Sequence, residues 1–265
     1  MSKASSITSI PSAPVNRRLA HRIEEASMNA WPAMQQILLD GWVLRFSKGF
    51  TKRSNSIVPV YPAFKTETEE TLLDKIRYCE NLYAREQLQT VFRLTSISDR
   101  NTAQLDELLA ERGYEIRERC DVLTCPLAST DQGSAITLLT LEQWLKVYCY
   151  LTGMGDPAAT LHNLILKGIA GECAFAVMME GDNPVACGLG VVEHELIGLF
   201  DIYTHPEKRR SGLGRRLVTG LLNWGQSRGA HRAYLQVVDD NNPAHALYEE
   251  LNFKHSHEYW YRIAS

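Results

Sequence analysis

The segment Leu199–Val218 (LFDIYTHPEKRRSGLGRRLV) allows few folds. An apolar, strand-like stretch stops at Pro206, a turn carries Gly212 and Gly214, and a helical stripe of Leu213, Leu217, Val218, Leu221 and Leu222 follows. The glycines permit a tight turn whose N–H groups point into one concavity, ahead of the unpaired donors of the helix. Such a nest at a positive helix end binds phosphate. Lys208, Arg209, Arg210, Arg215 and Arg216 crowd this end, where each exposed cation is disfavoured by roughly 0.3–1 kcal/mol. A multiply charged anion among them gives the crowding a reason. The turn is not a P-loop, because Arg215 and Arg216 stand where Lys-Ser/Thr is needed. It is not a dinucleotide fingerprint either, because Leu217 takes the place of the third glycine.

A second motif lies downstream in NNPAHALYEELNF (Asn241–Phe253). Asn242 reads as a helix N-cap and Pro243 as the first helical residue. Ala244, Leu247 and Leu251 form the apolar stripe, Tyr248 lies beside it, and Asn252 replaces the usual closing glycine.

The turn Arg209-Arg210-Ser211-Gly212-Leu213-Gly214 resembles the Arg/Gln-x-x-Gly-x-Gly/Ala signature of the GNAT superfamily of acyl-CoA N-acyltransferases, and the likeness covers about residues 135–263. The resemblance implies acetyl-CoA as co-substrate, its pyrophosphate cradled by the backbone amides of Arg210–Arg215. It also implies that Ile202, Tyr203 and Thr204 pair with the pantetheine arm, that Asn241 lies near that arm, and that Tyr248 stands beside the thioester sulfur as general acid. Acetyl transfer needs a neutral amine, a polarised carbonyl and a protonated leaving thiolate. A phenol with a free pKa of about 10 suits the last of these.

The base is less defined. Some family members carry a glutamate twelve positions before the tyrosine, where this chain has Gln236, which takes no proton. Asp201, Glu193, Glu195, His194 and His205 lie on or beside the central strand. Asp201 is preferred, since a carboxylate inside the apolar run LFDIYT needs a reason; a water chain without a single base is the alternative.

The 265 residues suffice for two small domains. Residues 1–16 read as a disordered Ser/Pro-rich leader, 17–127 as a degenerate N-terminal unit, 128–134 as a linker and 135–265 as the catalytic unit. Two such units packed together give a mixed α/β fold with a mostly antiparallel central sheet. The endings LDELLAERGY (Leu105–Tyr114) and HALYEELNF (His245–Phe253) superimpose, which suggests duplication. The first unit has Leu109 where the second has Tyr248, and it shows no glycine turn.

A net charge of −3 argues against a general nucleic-acid binder. No apolar run approaches the length of a membrane span. Six cysteines without CxxC spacing read as free thiols in a reducing cytoplasm, and His245, His255 and His257 lack metal-ligand spacing. The tryptophans read as core, and Gly49–Asn55 (GFTKRSN), with two basic residues, as a hairpin loop weighed against a border of an anionic part of the substrate or of the cofactor adenylate. The reading is therefore a cytoplasmic acetyltransferase, monomer or homodimer, acting on a small amine or amino-acid-like acceptor. A non-catalytic acyl-CoA-binding regulator and a protein N-terminal acetyltransferase are the rivals.

Overall fold

Local signals account for most element boundaries in the computed structural model, which describes residues 16–61, 68–97, 100–127 and 136–264. Most of the predicted leader and the whole predicted linker lie outside these residues. Helix α1 (Arg17–Asn29) starts where the Asn16 side chain accepts the Leu19 N–H at 3.1 Å. Strands β1 (Gln35–Leu39), β2 (Trp42–Phe46) and β3 (Ile57–Pro59) follow. Helix α2 (Glu69–Arg85) is capped by Thr68, and β4 (Val91–Thr95), α3 (Arg100–Glu111) and β5 (Glu115–Pro126) complete the first half.

The second half begins with β6 (Thr137–Leu139) and α4 (Leu141–Thr152), capped by Thr140 and closed by left-handed Gly153. Helix α5 (Asp156–Lys167) leads to β7 (Glu172–Glu180), β8 (Asn183–Glu193) and β9 (Leu196–Thr204). Then come α6 (Leu213–Ser227), β10 (Arg232–Val238), α7 (Asn242–Glu250) and β11 (Lys254–Ile263).

All eleven strands join one sheet in the order β1-β2-β3-β4-β11-β5-β10-β9-β8-β7-β6. Only β3 with β4 and β9 with β10 are parallel; every other neighbouring pair is antiparallel. The element order β1-β2-β3-α2-β4-α3-β5 recurs as β7-β8-β9-α6-β10-α7-β11, with the same pairing senses among the first four strands of each set. The last strand of each half crosses over: β11 lies between β4 and β5, and β5 lies against β10. The halves are thus interlocked within one sheet as well as packed side by side.

Three apolar clusters cover the sheet. One holds α6 and α7 against the second half, with Leu217, Leu221, Leu235 and Tyr248. Another, on the opposite face, joins Ile23, Trp31, Trp144, Phe200, Tyr234, Tyr259 and Tyr261 from both halves. The third packs α2 and α3, through Leu72, Ile76, Leu105 and Leu109, on the first half. No helix among the described residues is long and apolar enough to cross a membrane. All six cysteines are free.

The interlock carries a buried ionic cluster. Glu24 on α1 accepts from Arg93 on β4 through both carboxylate oxygens, and lies 2.9 Å from His257 Nε2 on β11. Arg93 also lies 3.9 Å from the Tyr259 ring centroid. Burial opposes ionisation of Glu24, but Arg93 and His257 outweigh it and hold the carboxyl at about 2. A depressed carboxylate stabilises the fold above its unfolded pKa, and that contribution fades as pH falls through the folded value. We therefore expect the cluster's contribution to disappear between about pH 4.5 and pH 2. Removing one partner of a buried pair costs about 3–5 kcal/mol, so Glu24→Gln is expected to shift the urea midpoint at pH 7 by that equivalent. A variant as stable as the parent would refute the assignment.

Candidate active site

The site begins at an irregularity in β9. Opposite β8, Phe200 faces Leu189 and Tyr203 faces Cys187, so Asp201 and Ile202 together oppose Gly188. This two-against-one arrangement is a β-bulge, with Asp201 at φ +50°. A Cβ on Gly188 would lie 2.6 Å from Ile202 Cδ1, so a larger residue there would have to displace the Ile202 side chain. On its other side β9 pairs with β10 only from Leu196↔Arg232 to Leu199↔Leu235. Beyond that no ladder pairing joins the two strands, so β10 does not cover the backbone edge of Ile202, Tyr203 and Thr204. Tyr203 and Thr204 remain paired to β8 on the far side.

The chain then passes His205 and a short turn at Pro206–Lys208 into the glycine turn. Arg210 (φ +59°) and Gly212 (φ +81°) are both left-handed. Gly212 is the N-cap of α6 and has no side chain to cap it; the first helical bond runs from Arg216 N–H to Gly212 C=O at 3.1 Å. The N–H groups of Leu213, Gly214 and Arg215 are therefore the open donors of the first turn. Ser211 Oγ donates to the Lys208 carbonyl, and Arg209 Nε donates to Thr204 C=O at 3.3 Å, tying the turn to the end of β9.

The charge crowding is milder than the sequence suggests. Lys208 pairs with Glu180 at 2.6 Å and Arg215 pairs with Glu250. Arg210 and Arg216 are exposed and form no ion pair among the described residues.

Helix α7 starts one residue earlier than expected. Asn241, rather than Asn242, is the cap, its side chain accepting the Ala244 N–H at 3.3 Å. Leu247 reaches the start of α6, where a Cβ on Gly214 would lie 3.3 Å from Leu247 Cδ2. Tyr248 is buried on this face, its ring 5.7 Å from that of Phe253. Burial pushes the phenol up to about 12, which keeps it protonated near neutrality.

Asp201 belongs to the opposite face, with Phe200. Its Oδ2 lies 2.9 Å from Nε2 of His162 on α5, and Tyr148 of α4 stands near enough for the carboxylate to act on its phenol. Burial and then the Asp201 carboxylate raise the Tyr148 phenol, so it too stays protonated. His162 is 1% exposed, boxed by Trp31, Phe50, Trp144 and Tyr148, and its Nδ1 is buried without a partner. The other candidate bases stand elsewhere. Glu193 accepts from Asn29 at 2.9 Å, Glu195 pairs with Arg22, and His194 sits at the β8–β9 turn. That turn is about 20 Å along the strand from Asp201.

A cavity of about 330 Å³ opens beside Asp201. Its walls come from both halves: Trp31 and the loop residues Thr51, Lys52 and Arg53; Glu118 and Cys120 of β5; Gln236 and Val238 of β10; Tyr259 and Tyr261 of β11. Both amide atoms of Gln236 are buried without partners. His162, Tyr148 and Arg53 were not singled out from the sequence. The only signal for His162 was its place on α5 one turn before the buried Ile165 and Leu166. The loop 49–55, weighed as a plain hairpin, borders this cavity. Among the described residues, no group of three or more His, Cys, Asp or Glu could hold a metal ion.

Residues 20–262 match the family model described as the C-terminal region of the probable histone acetyltransferase Rv0428c. A Bacillus subtilis protein described as the uncharacterized N-acetyltransferase YobR is 27% identical over 250 residues, covering 91% of this chain and 97% of that one. Rv0428c itself, a probable histone acetyltransferase of Mycobacterium tuberculosis, is 28% identical over 248 residues, 92% of this chain and 74% of that protein. The GCN5-related N-acetyltransferase from Kribbella flavida shares the fold with a TM-score of 0.67 at 16% identity, over 93% of this chain and 95% of that one. A phosphate-type turn, a parted strand pair and a family match across nearly the whole chain lead to one conclusion: this protein is an N-acetyltransferase of the GNAT family, belonging to the group defined by the Rv0428c C-terminal region.

Proposed function

We propose that the chain moves an acetyl group from acetyl-CoA to the primary amine of a small-molecule or amino-acid-like acceptor by direct attack in a ternary complex. The observation that carries this reading is the end of β9–β10 pairing at Leu199, with Asp201 two residues beyond it and the glycine turn following the same strand. Acetyl-CoA supplies an activated thioester. The backbone N–H groups from Arg210 to Arg215 hold its pyrophosphate, and the free edge of Ile202–Thr204 holds its arm. Asp201, oriented by His162, takes a proton from the amine as nitrogen bonds to the acetyl carbon. Tyr248 gives its proton to sulfur as the carbon–sulfur bond breaks. The products are the amide and free CoA thiol.

A small acceptor is favoured by the limited cavity, at the lower end of ordinary ligand sites. The free thiols support a cytoplasmic setting. The repeated element order supports a duplicated unit at 17–127 and 135–265 in which only the second retains the phosphate turn. A purely regulatory acyl-CoA binder would have no use for a carboxylate paired with the buried His162.

The test is thiol release from acetyl-CoA with a pooled library of metabolite amines. Tyr248→Phe is expected to lower kcat about 100-fold, the ordinary worth of a general acid, while leaving the KM for acetyl-CoA within a few-fold. Gly212→Glu, which places a bulky anion on a left-handed residue in the phosphate nest, is expected to abolish detectable cofactor binding in calorimetry. Binding without amine-dependent release would favour the regulator, and unimpaired binding by Gly212→Glu would sink the cradle assignment.

The pH profile gives a separate check. A phenol near 12 stays protonated through about pH 10, so wild-type kcat should show no alkaline fall below that point due to Tyr248. A fall near pH 8 that vanished in Tyr248→Phe would contradict the environment assigned to this side chain.

A further inference from the structure

We infer that the acceptor carries a carboxylate beside its amine, seated in the 330 Å³ cavity by Arg53 and Gln236. The inference rests on the reading of this cavity as the acceptor site. Three observations carry it.

The first is unmet hydrogen bonding. Arg53 Nε and both amide atoms of Gln236 are buried without partners, although both residues line the cavity. Buried polar groups are almost always paired, and a bound ligand is the partner that an open cavity admits. A guanidinium edge and an amide N–H suit carboxylate oxygens, and the planar guanidinium favours carboxylate geometry.

The second is charge. Lys52 pairs with Glu118 at 2.9 Å, and Arg93 pairs with Glu24, so these charges cancel. Arg45 remains: its guanidinium donates to the carbonyls of Arg53, Met28 and Trp31, all neutral groups. Burial and the neighbouring Arg93 lower Arg45 to about 10, which leaves it charged at neutral pH. Arg53 and Asp201 line the cavity, and Arg45, bonded to the Arg53 carbonyl behind its wall, adds a positive charge that no protein anion among the described residues offsets. One ligand carboxylate, with the amine as free base, brings the local sum to zero. A simple alkylamine leaves it unbalanced.

The third is rigidity. The Arg53 loop is fixed before any ligand arrives. Asn55 Oδ1 accepts from the N–H groups of Ser47 and Gly49, and its amide donates to the carbonyls of Phe50 and Thr51 at 2.8 Å each. Thr51 is held at φ +60°, an unusual conformation for a β-branched residue, with its hydroxyl 3.2 Å from Trp31 Nε1. Such strain persists only where the surroundings enforce it. Arg45 clamps both Trp31 and Arg53 through their carbonyls, and the Arg53 guanidinium lies 5.4 Å from the Trp31 ring centroid. The cation is therefore presented at a set distance from Asp201, with amine and carboxylate received at two fixed points.

The test uses matched acceptors: α-, β- and γ-amino acids, each beside its carboxamide and its decarboxylated amine, assayed at saturating acetyl-CoA. The expected result is a preference of roughly 10- to 100-fold in kcat/KM for the acid, carried mainly by KM. That preference should collapse in Arg53→Gln and in Gln236→Leu, and return in part in Arg53→Lys, with the KM for acetyl-CoA unchanged. The wild-type comparison and Gln236→Leu decide the matter even if Arg53→Gln fails to fold. Carboxamides or simple amines acetylated as well as the acids would overturn this inference while leaving acetyl transfer standing. Acetyl-CoA binding with no amine of any kind acetylated would instead defeat the small-acceptor reading, and this inference with it.

Discussion

The bulge at Asp201 and Ile202 is the constraint from which the rest of the site follows. A regular β9 would continue its parallel ladder with β10 and close the sheet. Setting two residues against Gly188 bends the strand and lets the ladder end at Leu199. It also sends Asp201 to the aromatic face beside Phe200 while Ile202 packs over Gly188 towards α6. The glycine turn begins only a few residues later, so the same distortion that opens the sheet also aims the chain into the start of α6. One local irregularity thereby sets the free backbone edge, the carboxylate and the anion nest in fixed relation.

The two faces divide the work. The α6 and α7 face gathers the nest and Tyr248, all from the second half of the chain. The other face gathers Asp201, His162 and the cavity, and the first half supplies much of its wall through Trp31 and the Arg53 loop. The crossing of β11 and β5 makes this possible by bringing Tyr259 and Tyr261 alongside Cys120. The cluster of Glu24, Arg93 and His257 fixes α1 to that crossing. A half lacking its own phosphate turn can still contribute to chemistry by shaping what the other half receives.

Much of this was legible in the sequence, because it rests on local signals. Helix α4 and strand β9 occupy the residues their periodicity indicates, and the glycine turn stands between strand and helix as expected. Other features were hidden for definable reasons. Strand β1 (QQILL) is a half-exposed edge without regular alternation. The first part of β5 (EIRER) is polar and largely exposed, so only the apolar end of this strand carries a strand pattern. The crossing of the last strands is a matter of long-range pairing, which no local pattern records. His162 reaches Asp201 from a separate helix, and Asn241 took the cap because Pro243 is tolerated at the second helical position as well as the first.

The crossing also governs how the chain must fold. Val91 pairs with Ile263, so the first half of the sheet cannot be completed until β11 has been synthesised. Contacts of such sequence separation bear a loop-closure cost before any pairing rewards it, and they slow folding. Until β11 arrives, β4 and β5 lack the strand that finally separates them and present open edges able to pair with other chains. The N-terminal half is therefore no independent module that could be detached or replaced during evolution. Its completion is bound to β11, in the half that carries the glycine turn, which gives a selective reason for the two to have remained one chain.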